Sequence, residues 1–446
     1  MKRNVLVILA VLLALALACS FTPNGGNQND GGLTSDEIVQ TSSAATLTAM
    51  SGGGDGQQET EQPQASNTSP PNCQPLHPGA QSLPLPVGVG LATNGNHEVI
   101  NFYDLQGNLI GSKTLTGLPW ADVNQVHLAG GNSAGFPTLP IVYHTLISGS
   151  ELLRLNVNNA ITDLGSAAQL VMVTGATAQP YVAYTLNSSS ASGWISYLYG
   201  TDYAGVSGAS PLIIRDEGDG YVIYPLGVHY SGGAAQGIWY TASMYGIGNI
   251  NFEPFKGLFY LRLSDSTVTT YVPPDTVIAG FSPDQTWVAY SVSTGNNPGQ
   301  ATGSITLKNL ITCAEVILAF DQPTNLGGWL AFSPDNQYVA WLETFGPSPM
   351  EATFRLRVSK IDGTSLVNAE ISTLSSLLGG VAPSYILPPM KWVDNHVLGL
   401  SMRPTGTANA TFVIWAPDPA QPLDPVLGAN QSAALGSGEM IGLLYP

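Results

Sequence analysis

Short apolar runs, each broken by a polar or Gly/Pro-containing turn, recur along the chain from residue 85 to the C-terminus. Some alternate apolar and polar positions with the period of two that a half-buried strand requires, as in Phe354–Ile361 (FRLRVSKI). The runs also repeat at longer range. Gly280–Val292 (GFSPDQTWVAYSV) and Ala331–Glu343 (AFSPDNQYVAWLE) match best, with Phe-Ser-Pro-Asp quartets that begin at Phe281 and Phe332, 51 residues apart. Val288-Ala289-Tyr290 and Val339-Ala340-Trp341 keep that offset. Looser triplets stand at Ile141-Val142-Tyr143, Val182-Ala183-Tyr184, Ile238-Trp239-Tyr240 and Val397-Leu398-Gly399, giving successive steps of 41, 56, 50, 51 and 58. Around each triplet the order is the same: a strand, a turn, the triplet strand, a variable loop, a third strand, a short turn and a fourth strand. Four-stranded units at this period predict a β-propeller.

Phe-Ser-Pro-Asp followed by an apolar-Ala-aromatic triplet resembles the TolB-type, WD-like propeller repeat, strongly in two units and in degenerate form in four more. The resemblance implies that Asp284 and Asp335 are structural residues of the turn between first and second strands, bonding nearby amides. A seventh unit is assembled from both ends, from Val87–Thr93, Glu98–Asp104 and Leu109–Leu115 at the start and Glu439–Leu444 (EMIGLL) at the finish. Joining the chain ends in one blade removes open edges. The expected fold is all-β: a propeller of four-stranded blades over residues 85–446, seven in number, with six or eight as the neighbouring counts.

The first 84 residues are different material. Lys2 and Arg3 precede the apolar run Val5–Ala18, too short for a membrane span and laid out as a secretory signal. The run ends Ala16-Leu17-Ala18-Cys19, which resembles the bacterial lipoprotein lipobox, with Ala16 where Leu is preferred. That resemblance implies cleavage after residue 18, a lipid on Cys19 and an extracytoplasmic, membrane-anchored protein, at the cell surface or in the periplasm; an ordinary cleaved signal is the alternative. Residues 19–84 carry acids, no Lys or Arg, and much Gly, Ser, Gln and Pro. Such a segment buries too little apolar surface to offset its ordering entropy and is expected to be a disordered tether. Cys73 and Cys313 remain, and an oxidising compartment permits a disulfide between them; free thiols are the alternative.

Only 10% of residues are charged, and the chain has 50 Gly, 32 Pro and a net charge of −17. Few charges disfavour helix bundles, and the acidic balance disfavours nucleic acid. A neutral or basic protein, peptide or glycan is the favoured partner of a monomeric, non-enzymatic binding module. Loops between second and third strands are expected to be long at Asn187–Gly193, Met244–Lys256, Ser293–Gly303, Phe345–Thr353 and Arg403–Thr411, and to share one face with the connections between blades. Tyr245, Phe252, Glu253, Phe345, Glu351 and Arg403 are the candidate binding residues there. The rival is an envelope glycan hydrolase or lyase using Glu253, Glu343 or Glu351, which needs two converging carboxylates, one of them buried. A structural envelope scaffold is the third reading.

Other chemistry is weaker. Asp216, Glu217 and Asp219 lie on a Gly-rich turn that suits a hard cation such as Ca2+, but the alternation of an EF-hand is missing and a solvated turn explains them too. Otherwise no cofactor is expected, and Cys and His lack zinc spacing. Gly131-Asn132-Ser133-Ala134-Gly135 has the spelling of a hydrolase elbow, but Pro137 and Pro140 oppose the helix that must follow. His77, His97, His127, His144, His229 and His396 are scattered and fit satisfied core positions better than metal ligands.

Overall fold

In a computed structural model, the described part of the chain is all-β and antiparallel. It covers residues 73–445, apart from 93–98, 115–125, 129–140, 174–180, 203–209, 245–254, 293–300, 346–352, 372–389, 403–410, 416–433 and positions 74, 83, 148–149, 158–159, 167, 191–192 and 219. The first sheet begins with β1 (Gly88–Ala92), β2 (Val99–Asp104) and β3 (Leu109–Thr114). The second is the meander β4 (Val126–Leu128), β5 (Ile141–Ile147), β6 (Ser150–Val157) and β7 (Ala160–Ser166). The third is β8 (Ala168–Val173), β9 (Tyr181–Ser190), β10 (Gly193–Asp202) and β11 (Ile213–Arg215).

Next come β12 (Tyr221–Ser231), β13 (Ala234–Met244), β14 (Phe255–Arg262), β15 (Val268–Phe281), β16 (Trp287–Val292), the two-residue β17 (Ala301–Thr302), β18 (Ser304–Asn309) and β19 (Glu315–Ala319). Apart from β17 they make one seven-stranded sheet, and β15 is its joint. Residues 268–272 of β15 pair with β14, residues 276–281 pair mainly with β16, and Pro273-Pro274 between them lack the N–H that a regular ladder needs. The fifth sheet is β20 (Leu326–Phe332), β21 (Tyr338–Phe345), β22 (Thr353–Lys360) and β23 (Ser365–Ile371), with β17 added on the β20 edge. The sixth is β24 (Met390–Asp394), β25 (Val397–Met402), β26 (Thr411–Trp415) and β27 (Ala434–Ser437). Finally β28 (Glu439–Leu444) returns to pair antiparallel with β1, from Gly88↔Leu444 to Ala92↔Glu439.

The triplets of β13 and β16 read as continuous apolar runs because these strands are covered on both faces. Val288 of β16 packs into a cluster with Trp239, Tyr260 and Tyr271 on one side, while its neighbour Ala289 packs on the other with Leu330, Phe332 and Trp341. A third cluster joins Ala183 and Leu198 of the third sheet to Ile223, Val228 and Ile238 of β12 and β13. A fourth joins Val89, Leu91 and Met440 to Val393 and Phe412, so the sheet made from both chain ends packs on the sheet that precedes β28.

One expected loop is strand instead. Asn187–Gly193 is mostly ladder: β9 runs through Ser190 and pairs with β10 in unbroken register from Tyr181↔Asp202 to Ser190↔Gly193. The hairpin gives these residues ladder partners in β10 that a loop would lack.

Removing residues 439–446 exposes the β1 edge and the partners of Met440, Ile441 and Leu444, which are 5%, 3% and 0% exposed. At roughly 1.5–3 kcal/mol per buried side chain, urea-unfolding stability should fall by about 5 kcal/mol or more. An unchanged midpoint would show that β28 adds nothing to the core.

Candidate functional site

The two repeat turns are built alike. Ser282 Oγ accepts from Thr286 N at 3.1 Å and Trp287 N at 2.8 Å and donates to Asp284 Oδ1 at 2.6 Å, and Asp284 Oδ2 accepts from Thr286 Oγ1 at 2.7 Å. Ser333 Oγ accepts from Tyr338 N at 2.9 Å and donates to Asp335 Oδ1 at 2.7 Å. Gln285 and Asn336, at the same offset, both take left-handed backbone with φ of 65° and 55°. Both aspartates are therefore spent on holding turns.

These turns mark one edge of the sheets, and the N-terminal segment is fastened to it. Cys73 and Cys313 form a disulfide with Cα atoms 5.5 Å apart, Cys313 lying in the β18–β19 turn. Tyr271 Oη donates to Leu76 O at 2.6 Å. His77 Nδ1 accepts from Gly79 N at 3.0 Å, which leaves Nε2 to donate to Gln285 O at 2.7 Å, and the ring stacks on Trp239 with centroids 5.5 Å apart. Gln81 N donates to Asp284 O, and Gln81 Oε1 accepts from Tyr230 N, both at 2.8 Å. Beneath this strap, Gln285 Oε1 accepts from Trp239 Nε1 at 3.1 Å and His229 Nδ1 at 2.9 Å, and its Nε2 donates to Val228 O at 2.9 Å. Composition extends the tether to residue 84, but residues 73–82 are tied to the sheets. The signal that marks them is a Cys, a His and a Gln whose partners lie about 150–240 residues away in sequence.

At the opposite edge of the fifth sheet, Glu343 is buried in an ion network. Its Oε1 accepts from Asn325 Nδ2 at 2.6 Å and Asp321 N at 2.9 Å, and its Oε2 accepts from Arg357 Nη1 at 2.7 Å. Arg357 Nη1 also donates to Asp321 Oδ1 at 2.8 Å, Arg355 pairs with Asp321 Oδ2, and the Arg357 guanidinium lies over the Trp341 ring. Burial pushes the Glu343 carboxyl up, against the opposing pull of Asn325 and Arg357. Two carboxylates do converge here, as the hydrolase reading requires, but each already has an Arg partner. The network pins the 320–325 connection to β21 and β22.

The remaining candidates fall apart or fall outside. Asp216 and Glu217 are exposed, with Glu217 paired to Arg215 at 2.8 Å; Asp219 is outside the described residues. Among the described residues no three His, Cys, Asp or Glu side chains gather as a metal site. Cys19, Tyr245, Phe252, Glu253, Glu351, Arg403, His97 and Gly131–Gly135 lie outside the described residues. Phe345 is the last residue of β21, with its backbone opposite Thr353. His127 and His144 lie on β4 and β5, and His396 is exposed against the edge of the Tyr338 ring.

No family model and no curated protein matches the chain. Solved structures that resemble it include a hydrazine synthase from Kuenenia stuttgartiensis, with 12% identity, TM-score 0.39, and cover of 77% of this chain and 99% of that one. A prolyl endopeptidase structure has 8% identity and TM-score 0.38, over 74% of this chain and 46% of that one. The tricorn protease has 10% identity and TM-score 0.33, over 71% and 32%. The chain thus spans less than half the length of either peptidase, and likeness at this level carries no functional argument.

Three outcomes test these sites. Replacing Cys73 and Cys313 by Ser should cost about 2–5 kcal/mol, as removal of a long-range cross-link does, read by denaturant melts with and without reductant. Glu343→Gln leaves Arg355 and Arg357 to share Asp321 alone and should cost up to about 3 kcal/mol in the same assay. Burial, with a smaller push from His229, holds His77 below its ordinary 6.5, against opposing pulls from the Gln285 carbonyl and Asp284. The folded state thus prefers the neutral ring, and its stabilisation is full above about pH 7 and declines as pH falls below 6.5. His77→Gln should flatten that part of the stability–pH curve; an unaltered slope would assign it to another group.

Proposed function

We propose that this protein is a lipid-anchored, extracytoplasmic binding module whose strands form a seven-bladed β-propeller of the TolB-like type. Dividing the seven-stranded sheet at Pro273-Pro274 gives seven four-stranded units, with β28 and β1 sharing the one that carries both chain ends. Cys19 is the lipidation site and residues 19–72 are the tether. The disulfide agrees with an oxidising compartment.

The strap carries the functional reading. It ties the described start of the chain to the edge with the Ser-Pro-Asp turns, which leaves the opposite edge clear of the strap. At that far edge β13, β21 and β25 end, at Met244, Phe345 and Met402, so the candidates Tyr245, Phe252, Glu253, Phe345, Glu351 and Arg403 lie at or after those ends in sequence, and the Glu343–Arg357–Asp321 network fixes a connection between units there. Rigid strands presenting long loops suit recognition of a protein, peptide or glycan surface. With Glu343 and Asp321 committed to arginines, we read the edge as binding rather than catalytic.

Two experiments test this. Cys19→Ala should release the protein from the membrane fraction or leave it unprocessed, and a variant that still carries lipid would overturn the anchoring. Cross-linking of captured partners should footprint the loops at 244–256, 345–353 and 403–411, and Tyr245→Ala, Phe252→Ala or Phe345→Ala should each weaken binding by about 2 kcal/mol. A footprint centred on Ser282–Asp284 and Ser333–Asp335 would mean that the wrong edge was chosen.

A further inference from the structure

The seam between β9–β10 and β12 contains polar groups that the fold does not use. Thr185 and Asn187 are 0% and 3% exposed, yet Thr185 Oγ1 and both Asn187 Oδ1 and Nδ2 have no hydrogen-bond partner. Leaving such groups unmet costs about 1–3 kcal/mol each, so a fold that retains three of them together invites a ligand. The two side chains lie two residues apart on β9 and therefore share a face. Ser196 and Leu198, directly opposite Asn187 and Thr185 on β10, lie on that face too. Ile223 N donates to Ser196 Oγ at 2.9 Å, and Leu198 packs with Ile223 and Val228, which fixes the face against β12.

Toward the end of the hairpin the same face carries Trp194, which is half-buried. Gly193, the first residue of β10, comes close to the connection into β12: a Cβ on it would lie 3.5 Å from Gly218 Cα. Gly193 and Gly218 have φ of 133° and 68°, backbone that other residues adopt only with strain. In that connection Arg215 and Glu217 pair at 2.8 Å, and Asp216 between them is exposed.

A partly exposed indole on the same face as a buried hydroxyl and a buried carboxamide combines an apolar platform with uncharged donors and acceptors that match sugar hydroxyls. We propose that this seam is a binding subsite for an uncharged saccharide, one hydroxyl or acetamido group of which meets Asn187 and Thr185 while the ring lies on Trp194. The inference deepens the binding-module reading and rests on it.

The test titrates purified full-length protein with neutral cello-, malto- and chito-oligosaccharides, with polygalacturonate and an acetyl-glutamine amide as anionic and peptide-like controls. Saturable binding of a neutral saccharide is expected, weakened about tenfold or more in Asn187→Leu and Thr185→Val, with melting temperatures unchanged or raised because an unpaired buried polar group has become apolar. Trp194→Phe should retain more affinity than Trp194→Ala. Equal affinity in Asn187→Leu and Thr185→Val, a lowered melting temperature in both, or response to the controls alone would overturn the subsite. If no saccharide binds while a protein partner is captured on the far-edge loops, this inference fails and the binding-module reading stands.

Discussion

A sheet that is apolar on both faces needs a neighbour on each side, and the rest of this structure follows from that requirement. Val288 and Ala289, adjacent in sequence, enter different cores on opposite faces of one strand. Stacked in a line, such sheets would leave a bare apolar face at either end. At one such end the first sheet takes in β28 and packs on the sheet that precedes it, through Val89, Leu91, Met440, Val393 and Phe412. Hydrophobic burial therefore selects the long return of β28, despite the loop entropy of joining residues more than 300 positions apart.

Once the sheets are stacked, their two edges diverge in chemistry. One is closed by small, self-satisfied turns, in which Ser and Asp bond backbone amides and one another, and it accepts a strap held by a disulfide, a neutral imidazole and a carboxamide. The other carries the connections that vary in length. Two sets of polar groups stand out there. Glu343 and Asp321 pair with Arg355 and Arg357, and their work is to position a connection. Thr185 and Asn187 are satisfied by nothing in the fold, and buried polar atoms in that condition are where recognition is to be sought.

The repeat was legible in the sequence because it is imposed locally. Ser-Pro-Asp makes its turn from residues within five positions of one another, and the triplet is apolar wherever a strand has neighbours on both faces. The pairing of Glu439–Leu444 with the first strand was legible for the related reason that an orphan strand and an incomplete unit need each other. What the sequence could not determine depends on groups far apart along the chain. Composition read the segment around His77 as tether, because polarity and proline describe a chain without partners; only the folded sheets bring Gln285, Tyr230, Tyr271 and Cys313 to it. Asn187 sat in a Ser-rich stretch that reads as loop, and only the β9–β10 ladder turns it inward. Glu343 looked like a free carboxylate until the next strand and the preceding connection delivered Arg357, Asn325 and Asp321. Local patterning set turns and strands, since those depend on neighbours in sequence; tertiary packing alone decided which charges are paired, which part of the N-terminal segment is held, and which polar groups are left without a partner.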